Sequence, residues 1–383
     1  MIVKNEENLI GRCLDSVKGI EDEIIIVDTG SKDKTKEIVG KYTDKVYDYE
    51  WIDDFSSARN FSFSKATQDY ILWLDADDVI KKNEHAKIIT LKENLDPSID
   101  AVSMYYDYIS PAPIIRRHRL VKRSNNFKWF AAVHEYLQVS GNVVNSDITI
   151  THQHMHAFSD RNIRIYEKLL AKGDHLSPRD RYLYAQELQY HSRHEDAERI
   201  YIEFLNANQG EPEDCISVCG KLADHFLASG NTEKHLEYIY KSFNYDTPRA
   251  EFCCRLGSHY FKKNQLKQSI FWYKTATELE KPSNCTAIIY EDYWTWLPHV
   301  YLCECYERLG KNELSFKHHE LAAGYAPDPP GFVHNREYFN NLRVAEAIRK
   351  LSPGQIVELR KLLRQGLENE QTLTFLKAKE NLS

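Results

Sequence analysis

The stretch "DYILWLDADDVI", Asp69 to Ile80, runs an apolar block, Tyr70–Ile71–Leu72–Trp73–Leu74, straight into the carboxylates Asp75, Asp77 and Asp78. A short continuous apolar run bounded by turn formers reads as a strand buried on both faces. Asp at a strand end is a turn former in its own right, because it bonds its own backbone. It is equally a socket for a hard divalent cation, which prefers oxygen ligands. The surrounding sequence has to separate the two readings.

Upstream, short apolar runs alternate with polar helical stretches. "MIVKN" reads as a strand, "EENLIGRCLDSVKGI" as a helix, and "DEIIIVDTGS" as a strand ending in a turn. "KDKTKEIVGKY" is a helix, "KVYDYEW" a strand, and "SSARNFSFSKAT" a helix that leads into the opening strand. Such alternation predicts an α/β domain with a mainly parallel sheet covered by helices. Further strands are expected around "AVSMYYDYI", "EYLQVSG" and "DITITHQHM", giving a first domain over 1–157. The first strand opens at Met1, so it is either unusually short or trimmed.

The chain of 383 residues is long enough for two cores. Its formal charge of −7 argues against a nucleic-acid surface, which needs a basic stripe. No apolar run reaches the roughly 18–20 residues of a membrane span, and no signal peptide is evident. The eight cysteines form no Cys-x-x-Cys pair, and those after residue 210 fall mostly on helical segments. Reduced, buried thiols in a cytoplasmic protein are the expectation.

From about Arg161 the texture is helical throughout. "LGSHYFKKNQLKQSIFWYKTATELEKP" places Leu256, Gly257, Tyr260, Ser269, Tyr273 and Ala276 at tetratricopeptide spacing, with Pro282 one place late. "LCECYERLGKNELSFKHHELAAGYAP" repeats the pattern with Leu302, Cys303, Tyr306, Ser315, His319, Ala322 and Pro327. Weaker copies surround Ala185–Leu188–Ala197–Tyr201 and Leu222–Ala223–Phe226–Ile239. Several copies in one register predict an all-α repeat array over 158–330. The insert carrying Trp294 and Trp296 is expected to pack rather than to offer an acceptor patch. The tail, 331–383, contains the amphipathic "PGQIVELRKLLRQGLENE", suited to capping the array or forming a homodimer.

The ends of the first two strands and of the opening strand carry "KNEE", "VDTGSKDKT" and "DADD". In open α/β sheets ligands bind beyond the carboxyl ends of the strands, so these polar residues are expected to share one crevice. A tight strand–helix turn explains Gly30 and Ser31, but not Asp28 at the strand end or its recurrence as Asp75.

In this order, "MIVKNEENLIGRCLDSV", "DEIIIVDTGSKDKT", "DDFSSARN", "WLDADD" and "VHE" resemble the inverting family-2 glycosyltransferases of the GT-A fold. Joined to tetratricopeptide repeats, the chain is similar to the branch that glycosylates bacteriocin peptides on Cys or Ser. The resemblance implies a UDP-sugar donor and Mn²⁺ or Mg²⁺ bridging its diphosphate. It implies that Asn5, Glu6 and Asp28 line the base pocket, that Asp75 approaches the ribose, and that Asp77, with Asp75 and His134, holds the metal. Arg119, Lys122 and Arg123 are candidates for the diphosphate oxygens, whereas Arg116 and Arg117 read as a solvated edge. The resemblance suggests a donor-side or loop-ordering role for Arg59, with a helix-surface ion pair as the alternative. Glu135 is expected to be the general base and His134 a diphosphate or metal contact, since neighbours on a strand face opposite ways; the exchanged assignment is the alternative. His152, His154 and His156 align on one strand face, with His152 at the mouth of the site rather than in a separate zinc centre.

The resulting expectation is transfer of a hexose to a Cys or Ser side chain of a peptide or protein held by the repeats. The alternatives are a polysaccharide or lipid-linked acceptor, and a tetratricopeptide adaptor with an inactive transferase domain.

Overall fold

In the first third of the chain, strand–helix alternation produces the predicted elements: β1 (Ile2–Val3), α1 (Ile10–Val17), β2 (Ile26–Asp28), α2 (Thr35–Val39), β3 (Val46–Asp48), α3 (Phe55–Ser64) and β4 (Tyr70–Leu72). The protein is described here from a computed structural model covering residues 1–108, 115–153, 159–282, 289–325, 349 and 351–363. Two compact units result, Met1–Ile200 and Tyr201–Ser383.

Within the first unit, β1, β2 and β3 pair in parallel, as crossover helices require. The next elements are β5 (Asp78–Val79), α4 (Lys82–Asn94), β6 (Ala101–Asp107), β7 (Ile115–Lys122), β8 (Lys128–Phe130), β9 (Tyr136–Gln138) and β10 (Val143–His152). They build a five-stranded sheet of order β4-β7-β6-β10-β5 and a β8-β9 hairpin. Here the expected parallel sheet fails: only β6 and β10 run parallel, and the other pairs are antiparallel. Residues 108–114 are too few for the dozen-residue crossover that a parallel return needs, so β7 runs back beside β6. Strand β7, read from sequence as a basic run, is therefore an interior strand between β4 and β6.

The apolar block of the opening stretch is a strand only over Tyr70–Leu72; Trp73 and Leu74 continue it as buried residues. The acidic turn ends in β5, whose register with β10 sets His152 opposite Asp78. Beneath it, Cys13, Val17 and Ile20 pack with Leu74, Ile88, Met104 and Ile150 in one apolar cluster.

Helices α5 (Arg161–Ala171) and α6 (Pro178–Tyr190) belong to the first unit, which extends well past residue 157 and ends inside α7 (His194–Ala207). The second unit contains α8 (Pro212–Ala228), α9 (Thr232–Ser242), α10 (Ala250–Lys262), α11 (Leu266–Glu278), α12 (Glu291–Trp294), α13 (Trp296–Arg308) and α14 (Asn312–Tyr325). Its hairpins share a twelve-residue register. His235 Nδ1 lies 2.8 Å from the Ala223 carbonyl, Ser269 donates to Gly257 at 2.9 Å, and Ser315 donates to Cys303 at 2.9 Å. Ala185 and Ala197, both buried, have the same spacing in the first unit. Small residues at these positions let paired helices approach closely. Trp294 and Tyr293 pack on the cluster around Cys254, Tyr273 and Leu302, as expected of the insert. Pro327 and most of the tail lie outside the described residues; of the amphipathic stretch at 353–370, Pro353–Leu363 forms helix α15, and residues 364–370 lie outside them. No described helix is long and apolar enough to cross a membrane.

Gly257 marks the tightest of these approaches. A Cβ there would lie 2.8 Å from three ring carbons of Tyr273, itself wholly buried. Gly257→Ala is expected to destabilise the second unit by about 1–3 kcal/mol despite the better helix propensity of Ala. A urea midpoint equal to or above wild type would refute the close approach.

Candidate active site

Each strand end is locked by its own side chains. Asp28 Oδ1 accepts from the amides of Gly30 (3.0 Å) and Ser31 (2.9 Å), while its Oδ2 is buried without a hydrogen-bond partner. Asn5, in the left-handed region at φ 56°, ties the first loop to the second: its amide donates to Ser31 Oγ and its Oδ1 accepts from the Lys32 amide. The Glu6 amide donates to Thr35 Oγ1 at 2.7 Å. Asn5 and Glu6 reach a cleft of about 1030 Å³ that also collects Asp75, Asp77, Arg59, His134, Glu135 and His152.

The three carboxylates of the opening stretch have separate tasks. Asp78 is fully buried and its oxygens are committed: Oδ2 to Arg119 (3.0 Å) and the Asp75 amide (2.9 Å), Oδ1 to Tyr106 Oη (2.8 Å). Asp75 pairs with Arg59 Nη2 at 2.7 Å. Burial alone raises its pKa, but the Arg59 guanidinium, helped by Arg119, wins and holds it well below the carboxylate range. Asp77 is the member left for a ligand, with Oδ1 3.4 Å from His152 Nδ1. Burial lowers the His152 pKa, but hydrogen bonds to Asp77 and Asp78 push it up to about 9.

Arg59 is placed by the "DDFSSARN" motif. Asp54 caps α3, accepting from the Ser57 amide at 2.9 Å, and the helix carries Arg59 inward. Its guanidinium lies 4.7 Å from the Trp129 ring and 5.2 Å from Trp73, and bridges Asp75 to Glu135 Oε1 (2.6 Å). It is a partly buried double ion pair, neither a surface bridge nor a free donor contact. Glu135 Oε2 makes no hydrogen bond among the described residues.

His134 and Glu135 are not on a strand. His134 has φ 53°, and this left-handed step lets both side chains line the cleft. The geometric reason for giving them opposite faces therefore falls away. His134 Nε2 is 2.8 Å from Glu187 Oε1 on α6. Among the described residues, the three whose ligand atoms lie within 4.8 Å of one another are Asp77, Asp78 and His152. His134 and Asp75, expected as ligands, are not in that group.

Two of the arginines expected at the diphosphate are elsewhere. Arg119 is wholly buried, sandwiched between Trp73 (3.8 Å) and Tyr106 (4.3 Å) on its ion pair with Asp78. Arg123 donates to the Gln68 carbonyl at 2.7 Å and is not on the cleft. Arg116 and Arg117, read as a solvated edge, do line it. Along β7 the alternation of Arg117, Arg119 and Val121 against His118, Leu120 and Lys122 was the available signal; charge masked it. His154 and His156 lie outside the described residues.

An Asp77/His152 pair suits a small divalent cation: carboxylate oxygen is a hard donor, and the adjoining imidazole nitrogen favours Mn²⁺ over the more strictly oxygen-seeking Mg²⁺.

Residues 1–163 match the family model described as "Glycosyl transferase family 2". A TPR repeat-containing protein of Synechococcus elongatus is 50% identical over 78 residues, 20% of this chain and 19% of the relative. The prophage-derived glycosyltransferase SunS of Bacillus subtilis is 35% identical over 139 residues, 35% of this chain and 33% of the relative. The chain thus spans a third or less of either relative's length. Among solved structures, S. aureus TarS 1–349 in complex with UDP-GlcNAc aligns at 14% identity and a TM-score of 0.34, covering 70% of this chain and 87% of that one.

Proposed function

From a chain whose residues 1–163 match the glycosyl transferase family 2 model, we propose a metal-dependent, inverting transferase that moves a hexose from a UDP-sugar to a Cys or Ser side chain of a peptide or protein. The helical repeats offer the acceptor-holding surface, because stacked hairpins build extended peptide-binding faces. The observation that carries this reading is the convergence of Asp75, Asp77 and His152 with His134 and Glu135 on one cleft.

The site chemistry follows from residues already placed. Asp77 and His152 are the proposed ligands for Mn²⁺, which when bound acts as a Lewis acid on the charge developing at the diphosphate. Asp75, kept ionised by Arg59, is the proposed acceptor for a ribose hydroxyl. Arg117 presents a guanidinium to phosphate oxygens, a task suited to its planar fork. Asn5, Glu6 and the unpartnered Oδ2 of Asp28 are the proposed base-side contacts. The acceptor attacks the anomeric carbon opposite the leaving diphosphate, which inverts the configuration, and its proton goes to His134 or Glu135. A thiol asks little of that base, being already partly ionised near neutral pH; a Ser hydroxyl asks much more.

Thermal melting tests the donor half directly. At 100 times its Kd, UDP with Mn²⁺ stabilises the native state by about 2.7 kcal/mol. For a unit of this size that raises the midpoint by roughly 5–10 °C. No shift with millimolar UDP plus MnCl₂ would leave an adaptor with an inactive transferase domain as the better reading.

A further inference from the structure

Glu187 belongs to α6, beyond the 163 residues of the matched domain, yet it lines the catalytic cleft. Its Oε1 receives two contacts at 2.8 Å, from His134 Nε2 and from Asn162 Nδ2 on α5. The Glu187 side chain is 14% exposed and that of His134 is 38% exposed. Burial raises the Glu187 pKa, but the hydrogen bonds from His134 and Asn162 outweigh it and keep the carboxyl below its ordinary range. Glu187 is therefore an acceptor, and Nε2 of His134 must carry the proton between them. In a neutral imidazole the other nitrogen is then the base. Nδ1 of His134 makes no hydrogen bond among the described residues, and the ring lines the cleft. By contrast, Oε1 of Glu135 is already occupied by the Arg59 guanidinium at 2.6 Å.

We propose that Glu187 is a positioning residue that fixes His134 in its Nε2–H tautomer and aims Nδ1 at the acceptor, so that the helix pair after the transferase domain completes the active site. This rests on the transferase reading above. In the step concerned, the acceptor's sulfur or oxygen bonds to the anomeric carbon and its proton passes to Nδ1. The anomeric C–O bond breaks with its electron pair leaving on the UDP β-phosphate oxygen. Glu135, through Arg59, then serves to hold Asp75 in place. The left-handed backbone of His134, a conformation that costs a non-glycine residue free energy, is held in part by the Glu187 contact.

Imidazole ¹⁵N spectra of the full chain, with the His134 signals assigned by their loss in His134→Ala, read the tautomer directly. Wild type is expected to show protonated Nε2 and unprotonated Nδ1, and Glu187→Ala a mixture. Initial rates are measured with UDP-glucose and UDP-N-acetylglucosamine on peptides carrying one Cys or one Ser. Glu187→Ala is expected to lose about 10²-fold in kcat for the Ser peptide and less for the Cys peptide, with donor KM within about twofold. Glu187→Gln keeps an oxygen acceptor in place and should recover most of the loss; it also serves if the Ala variant fails to fold. An Nδ1–H tautomer in wild type, or unchanged kcat in Glu187→Ala, overturns the assignment. Absence of both UDP binding and sugar transfer in wild type counts against the transferase reading instead, and the spectra still decide the tautomer.

Discussion

Asp77→Asn should abolish sugar transfer, lowering UDP-sugar turnover by about 10³-fold or more while the melting temperature stays within a few degrees of wild type. The two halves of that expectation have different origins. Lewis-acid stabilisation of a departing diphosphate contributes several kcal/mol, and about 4 kcal/mol corresponds to a factor of 10³. The fold, meanwhile, makes little use of the Asp77 side chain, whose closest charged neighbour is His152 at 3.4 Å. The same substitution should remove the extra thermal shift that MnCl₂ adds to UDP, because the amide is a poor substitute for a carboxylate ligand. Assays with a panel of UDP-sugars and titrated MnCl₂ would measure both effects. Turnover close to wild type would remove the cation from the mechanism.

Arg119→Ala should act on stability, with a loss of about 3–5 kcal/mol, the usual cost of breaking a buried ion pair by deleting one partner. For a unit of 150–250 residues that is a fall of roughly 10 °C or more in melting temperature. Asp78 would be left wholly buried without its cation, and it also accepts from the Asp75 amide, so the acidic turn would loosen with it. Arg119 Nε and Nη2 have no hydrogen-bond partner, so the Trp73 and Tyr106 ring faces share the work of solvating the cation. Arg119→Lys should therefore rescue little, because an ammonium cannot lie flat between two rings. Arg123→Ala, four residues along the same strand end, should cost under about 1 kcal/mol. Equal losses at the two positions, read from urea midpoints, would contradict the buried pair.

The contrast between these arginines shows where composition alone was insufficient. Both lie in one basic run, and composition gives them equal claim to a phosphate. They are separated by strand register: Arg119 shares the inward face of β7 with Val121, while Arg123 lies past the strand's end. The reverse happened at Arg116 and Arg117, whose charge suggested solvent but whose strand carries them to the cleft. The opening acidic cluster was legible as a group, because three carboxylates at a strand end are hard to explain as turn formers alone. Its division of labour was not legible, since it depends on which oxygen meets Arg59, Arg119 or His152.

By itself the sequence determined the order of elements, the α/β-then-helical organisation, the repeat register and the motif set of the domain that matches the family model. These are local quantities, fixed by periodicity and spacing along the chain. Only the tertiary structure decided that Asp78 and Arg119 are framework, that His152 stands beside Asp77, and that Glu187 reaches His134 across 53 residues. Such pairings arise from strand register and helix packing between distant segments. A one-residue shift in a strand turns every side chain to the other face, and although alternation along β7 could point Arg119 inward, no local pattern names the distant partner it meets.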